Sequence, residues 1–337
     1  MTTSPEQTVA GLGEQALIDR IRARVPAAPG WVAIGMGDDA AVVEPARNAL
    51  EVLTTDALVE GVHFDRAFTP PRAIGHRALA VNLSDLAAMG AAPRAALLSF
   101  VLPPALPLAD FEAIVDGFMA LAAAHGVALI GGNITRSPGP LLVDVTAIGT
   151  ARRRRVLARS GARPGDAVWV SGEIGSAAAG LQSLSAGGRA GGRPAACEAA
   201  FLEPQPRVRL GTLLGRNRAA ASCVDLSDGL ADGLHQLADA SGVGLEVDGA
   251  AVPVSDEARC WFEARGVDPV MAAITGGDDY ELLFTVRPRG RSRLETARRQ
   301  ARGLRLTRIG TVRREPGVRL TRGGMSEPVP SGYVHFR

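Results

Sequence analysis

Short apolar runs alternate with longer stretches of helical periodicity along this chain, and that alternation restricts it to α/β or α+β architectures. Apolar runs at 40–43, 52–58, 95–102, 127–130 and 141–148 predict strands. Between them, 6–25, 71–89 and 110–125 read as helices. Leu12, Ala16, Leu17, Ile18 and Ile21 fall at helical spacing in the first; Pro71 opens the second and Gly90 closes it; Gly126 closes the third. The pattern pauses at Thr150, where an arginine run from Arg152 to Arg155 and the turn Gly161-Ala162-Arg163-Pro164-Gly165 follow. A second set then begins, with strands at 167–170, 223–226, 245–247 and 282–286 and helices at 174–184, 206–214 and from Ser227 onward. Two domains are expected, an α/β domain over 1–150 and an α+β domain over 151–337. A single core seldom extends beyond roughly 250–300 residues, and this chain has 337. The glycine-rich stretch 185–196 predicts a surface loop.

The chemistry is carried by aspartates at element ends, each beside glycine, serine or threonine. They occur in Gly37-Asp38-Asp39, Thr54-Thr55-Asp56, Asn82-Leu83-Ser84-Asp85, Asp225-Leu226-Ser227-Asp228-Gly229 and Gly277-Asp278-Asp279-Tyr280-Glu281. Taken singly, an Asp-Asp pair is an ordinary turn and a Ser-Asp pair an ordinary helix cap. Asp85 stands apart, because Leu79, Ala80, Val81 and Leu83 precede it and Leu86, Ala87, Ala88 and Met89 follow it. A carboxylate in such surroundings is costly to bury without compensation from a metal ion or a hydrogen-bond network; a cap after a helix kink is the plainer alternative. Cys223-Val224 deliver Asp225 to the C-terminal end of a strand, where ligands gather in sheets with helical crossovers. Ser227 is positioned to cap the following helix, whose first N–H groups would suit phosphate oxygens. Carboxylate clusters are hard oxygen ligands that favour magnesium over zinc. The expected picture is several aspartates holding magnesium ions against the phosphates of a nucleotide. Gly131-Gly132-Asn133, after the strand at 127–130, would let the backbone approach a ligand closely. His63, seven residues after Asp56, is a plausible substrate contact, although a lone histidine is more often a surface or core residue.

Composition narrows the chemistry further. All 37 basic side chains are arginine, so there is no lysine for a Schiff base, a phosphate-binding P-loop or a kinase-type phosphate pair. Metal ions and arginines would have to neutralise a bound triphosphate. A net charge of only +2 argues against a nucleic-acid partner. The three cysteines, Cys197, Cys223 and Cys260, are widely spaced, which argues against a disulfide framework or zinc site and fits a reducing cytoplasm. No apolar run approaches the roughly eighteen residues of a membrane span.

In this order the motifs resemble the thiamine-monophosphate kinase family of the aminoimidazole-ribonucleotide-synthetase superfamily. The resemblance runs from about Gly35 to the C-terminus and also includes Glu60-Gly61-Val62-His63-Phe64 and Arg155-Val156-Leu157-Ala158-Arg159-Ser160-Gly161-Ala162. It implies an N-terminal α/β domain with a mixed sheet that dimerises through that sheet and binds metal and ATP, and a C-terminal α+β domain that completes the nucleotide and substrate site. It implies ATP-dependent phosphorylation of thiamine monophosphate to thiamine diphosphate by a cytoplasmic homodimer. The implied metal ligands are Asp39, Thr54, Thr55, Asp56, Asp85, Asn133, Asp225 and Asp228, and the nucleotide contacts Gly132, Asn133, Arg155 and Ser227. His63, Asp278 and Tyr333 would meet the thiamine substrate, with Asp85, Asp225 and Arg155 as the catalytic groups. Two positions depart from the family pattern: Asn133 stands where Asp is common, and Asp278 where Glu is usual. The other readings are a different ATP-dependent member of the superfamily, such as aminoimidazole-ribonucleotide synthetase, and a non-catalytic magnesium or nucleotide sensor.

Overall fold

The computed structural model describes residues 7–187, 194–330 and 332. The chain forms two compact units. The first comprises Met1–Leu83 and Pro93–Thr150; the second comprises Ser84–Ala92 and Ala151–Arg337. The second unit therefore takes in the short stretch 84–92, which the sequence pattern assigned to the first.

In the first unit, α1 (Val9–Leu12) and α2 (Glu14–Arg22) replace the single helix expected over 6–25. Gly13, at φ +81°, breaks the helix between them; Glu6 lies outside the described residues. Strands β1 (Val32–Ile34) and β2 (Val42–Val43) form a small antiparallel pair. Then come β3 (Leu50–Val59), α3 (Pro71–Ala88), β4 (Ala92–Leu102), α4 (Leu108–His125), β5 (Ala128–Arg136) and β6 (Leu142–Ala151). The sheet runs β3-β6-β4-β5, with β4 and β5 parallel. Burial alternates along β6, so one face of the sheet is packed and the other half-exposed. Phe100 of β4 meets Phe111 of α4 edge-on, with ring centroids 5.4 Å apart. Helices α3 and α4 approach closely at two glycines. A Cβ on Gly75 would lie 1.8 Å from the Ile114 carbonyl oxygen, and one on Gly117 would lie 1.9 Å from that of Arg72.

The second unit continues with β7 (Ala167–Ser171), α5 (Ser176–Ser185), α6 (Ala195–Leu202), α7 (Val208–Asn217), β8 (Ser222–Asp225), α8 (Leu230–Ser241) and β9 (Gly244–Asp248). It ends with α9 (Asp256–Glu263), α10 (Pro269–Thr275), β10 (Leu282–Val286), α11 (Arg291–Gln300), β11 (Leu306–Arg313), β12 (Gly317–Arg322) and β13 (Met325–Pro328). Among the described residues its strands run β13-β12-β9-β11-β7-β10-β8. The sheet is mixed, because β12 pairs parallel to β9 while the other neighbours pair antiparallel. Leu230, Leu234 and Leu237 of α8 pack on Val224, Leu245 and Leu283 of the sheet. That i, i+4, i+7 spacing fixes which face of α8 is buried. The expected loop at 185–196 is only partly seen: α6 begins at Ala195, and residues 188–193 lie outside the described residues. No helix among the described residues is long and apolar enough to cross a membrane.

Candidate active site

In the second unit two carboxylates, Asp85 and Asp225, lie close enough for the charge of one to act on the other. Strand β8 ends at Asp225, which is only 7% exposed. Ser84, buried in the last turns of α3, donates a 2.7 Å hydrogen bond to Asp225 Oδ2. Burial pushes the Asp225 carboxyl up to about 7, and the negative charge of Asp85 adds to that rise; the Ser84 bond and Arg159 only partly offset it. The sequence placed the buried carboxylate at Asp85, yet Asp85 is half-buried and Asp225 bears the burial. Successive helix residues turn about 100° apart, so it is Ser84 that faces Asp225. Arg159, to which the resemblance assigns no role, is the cation that acts on Asp225. Cys223 N donates to the Ala158 carbonyl at 2.8 Å, which runs the 158–159 segment alongside β8.

Two neighbouring segments are fixed by close backbone packing. The Arg155 carbonyl oxygen would lie 2.3 Å from a Cβ on Gly215 and 3.1 Å from one on Gly90, and Leu157 N donates to the Met89 carbonyl at 3.0 Å. The backbone of Arg155 is thereby pinned to the turn that closes α3. Beyond Asp225, Ser227 does not cap a helix. Helix α8 starts three residues later, with Gly229 at its N-cap and no side-chain cap; Ser227 Oγ lies 3.5 Å from Asp228 Oδ2 instead. The 276–281 segment packs on this turn: Asp278 N donates to the Ser227 carbonyl at 2.7 Å and Tyr280 N to that of Leu226 at 2.9 Å. Gly332 reaches the same turn, since a Cβ there would lie 2.9 Å from the Asp228 carbonyl oxygen; Tyr333, its neighbour, lies outside the described residues.

Asp279 is paired within the protein. Gly175 N, at the start of α5, donates to both of its carboxylate oxygens at 3.0 Å. Burial holds its carboxyl well above the usual range despite those bonds. Glu281, the last residue of the Gly277–Glu281 motif and one to which the sequence assigns no role, is buried and bound by Arg207 and Ser171.

In the first unit, a cleft of about 800 Å³ brings together Asp39, Gly132 and Asn133, with Arg22 of α2 and Thr146 of β6 also on its wall. The strand expected to stop before Gly131 instead continues to Arg136. A Cβ on Gly132 would lie 1.8 Å from the Leu98 carbonyl oxygen of β4, so this glycine is required first by the neighbouring strand. Thr54, Thr55 and Asp56 lie on β3, where alternation turns Thr55 to the face opposite Thr54 and Asp56. Thr55 Oγ1 donates to the Val145 carbonyl at 3.2 Å and accepts from Thr146 Oγ1 at 3.2 Å. His63 Nδ1 accepts from Val59 N at 3.1 Å, which puts the ring proton of the neutral imidazole on Nε2.

The expected aspartates thus stand in two groups, Asp39 and Asp56 in the first unit and Asp85, Asp225 and Asp228 in the second. Among the described residues no group of three or more His, Cys, Asp or Glu side chains is gathered as a metal cage. The pair Asp85–Asp225 could still hold a hard cation: both donors are carboxylates, and a divalent cation would offset the burial and the repulsion that together raise Asp225.

The chain matches the family models for the AIR synthase related protein N-terminal domain over residues 37–151 and C-terminal domain over residues 163–323. It is 35% identical to thiamine-monophosphate kinase of Synechococcus elongatus, covering 98% of each chain. Its fold is similar to that of thiamine-monophosphate kinase from Stenotrophomonas maltophilia K279a, with a TM-score of 0.81 and 42% identity over 92% of this chain and 96% of that one. A solved structure of AaThiL complexed with AMPPCP and TMP matches with a TM-score of 0.77 and 33% identity, covering 99% and 100% of the two chains.

Proposed function

The chain belongs to the thiamine-monophosphate kinase family of AIR-synthase-related proteins, and we propose on that footing that it moves the γ-phosphoryl group of ATP onto the phosphate of thiamine monophosphate. The products are thiamine diphosphate and ADP. The observation that carries this reading is the match, over essentially the full length of both chains, to a relative solved with an ATP analogue and TMP.

Phosphoryl transfer asks mainly for positioning and charge neutralisation. The acceptor is an ionised phosphate, so no general base is assigned. In the first unit, Asp39, Thr54, Thr55, Asp56 and Asn133 are the proposed metal ligands, and the shared cleft of Asp39, Gly132 and Asn133 supports a nucleotide-phosphate role for that wall. In the second unit, Asp85, Asp225 and Asp228 are the proposed ligands, supported by the raised Asp225 carboxyl. When bound, magnesium would supply charge neutralisation for two polyanions that otherwise repel. Arg155 stabilises charge on the transferring group and, with Ser227, contacts the nucleotide. His63, Asp278 and Tyr333 hold the thiamine substrate, His63 as an Nε2–H donor. Asp278 is one methylene shorter than the Glu of the family pattern and Asn133 carries one charge less than Asp. Domain 1–150 serves metal, ATP and self-association, and domain 151–337 serves the rest of the nucleotide and the substrate. The half-exposed face of the first unit's sheet and its edge strand β3 support a homodimer through that sheet. Consumption of ATP fits action in the cytoplasm.

Incubating the protein with ATP, magnesium and thiamine monophosphate should give thiamine diphosphate and ADP in equal amounts. Nucleotide binding without turnover of thiamine monophosphate would overturn the assignment.

A further inference from the structure

The segment between α10 and β10 follows a sterically costly path. Asp278 has φ +67° and Tyr280 φ +49°, a region that residues with side chains seldom adopt. Strained backbone of this kind persists only where its surroundings over-determine it. Here the Tyr280 hydroxyl donates to Asp278 Oδ1 at 2.9 Å, and the backbone of Asp278 and Tyr280 is bonded to Ser227 and Leu226.

The anchor is the next residue. Glu281 is 2% exposed, and its carbonyl accepts from Leu226 N at 2.9 Å. Arg207 Nε donates to Glu281 Oε2 at 2.7 Å while Nη2 donates to Oε1, a two-pronged pairing that uses the planar fork of the guanidinium. Ser171 Oγ donates to Oε2 and itself accepts from Leu282 N at 2.9 Å. Gly172 completes the seat: it has φ +59°, and a Cβ there would lie 1.9 Å from Glu281 Oε1. An arginine near a phosphate-handling site would ordinarily be read as a phosphate contact. The fork of this one is occupied by a buried carboxylate.

We propose that Arg207 is a positioning residue for the substrate side of the site. By holding Glu281 it fixes the Asp278–Tyr280 turn, and with it the direction in which Asp278 presents its carboxylate to the thiamine substrate. The proposal rests on the reading of Asp278 as a substrate contact. A lysine at 207 keeps the charge and loses the fork.

The test is steady-state kinetics on Arg207→Lys, on the charge-free double variant Arg207→Met/Glu281→Gln, which leaves no buried charge unpaired, and on Asp278→Asn. Both Arg207 variants should raise KM for thiamine monophosphate about tenfold and leave KM for ATP within about twofold, the mark of a misplaced contact to one substrate. In the Asp278→Asn background, Arg207→Lys should add less than about twofold, because the two act as one unit. Exchange of the Asp278 and Tyr280 amide protons should quicken in Arg207→Lys. If Asp278→Asn raises KM for thiamine monophosphate but the Arg207 variants do not, or if they disturb both substrates equally, Arg207 is not a positioning residue. If Asp278→Asn leaves that KM unchanged, the substrate role of Asp278 fails and the proposal fails with it.

Discussion

Replacing Asp225 with asparagine should stabilise the metal-free protein while abolishing its activity. The Asp225 carboxyl is raised from 3.8 to about 7, first by burial and then by the charge of Asp85. A rise of that size corresponds to about 4 kcal/mol of destabilisation when the group is ionised. Below about pH 4 the carboxyl is protonated in both folded and unfolded chains and costs nothing. Between about pH 4 and 7 the unfolded chain releases the proton while the folded chain retains it, so stability falls as pH rises; above about pH 7 the full cost stands. Asparagine removes the charge and can still accept from Ser84, at a loss of about 1–1.5 kcal/mol for the weaker bond. The net gain at pH 8 is about 2–3 kcal/mol, or roughly 5–10 °C in Tm for a unit of about 200 residues. Thermal unfolding in EDTA from pH 4 to 8.5 measures this directly. Asp225→Asn and wild type should nearly coincide at pH 4 and separate progressively above it. Magnesium should raise the Tm of wild type at pH 8 by more than that of Asp225→Asn. A Tm difference that does not grow with pH, or an Asp225→Asn protein less stable at pH 8, would refute the reasoning.

Asp85→Ala should reduce turnover at least about a hundredfold, as loss of a metal ligand does; near-normal initial rates would show that Asp85 has no such role. His63→Ala should raise KM for thiamine monophosphate about tenfold with little change in kcat, and an unchanged KM would make the histidine structural. Gly132→Ala should cost about 2–4 kcal/mol in urea unfolding, because its Cβ meets the Leu98 carbonyl. Normal stability with a raised KM for ATP would instead assign that glycine to ligand approach. Exhaustive chelation should remove all activity and added magnesium restore it, whereas activity persisting without divalent cations would exclude them from the reaction.

What the sequence revealed was local. Strands β4 and β10 and helices α3 and α4 were legible to within a few residues because apolar periodicity there is flanked by proline or glycine. Helix α11 and strands β11 and β12 were not, since arginine-rich stretches such as Arg291–Gln300 give a weak apolar signal. The site divides along the same line. Motifs pointed to Asp225 and Asp85, but the pairing of Ser84 with Asp225 across 141 positions, and of Arg207 with Glu281 across 74, arises only in the folded chain. The misreading of Asp85 is instructive. An apolar flank on both sides suggests burial for whatever lies between, yet a helix points neighbours in different directions, and here the neutral Ser84 is buried and the charged Asp85 only partly so. The charge buried outright is Asp225, brought in by β8 from the other end of the pattern. A chain selected only for stability would not keep an ionisable group there beside a second carboxylate. Its presence there fits a site that tolerates the repulsion when empty so that a cation can be held tightly when loaded.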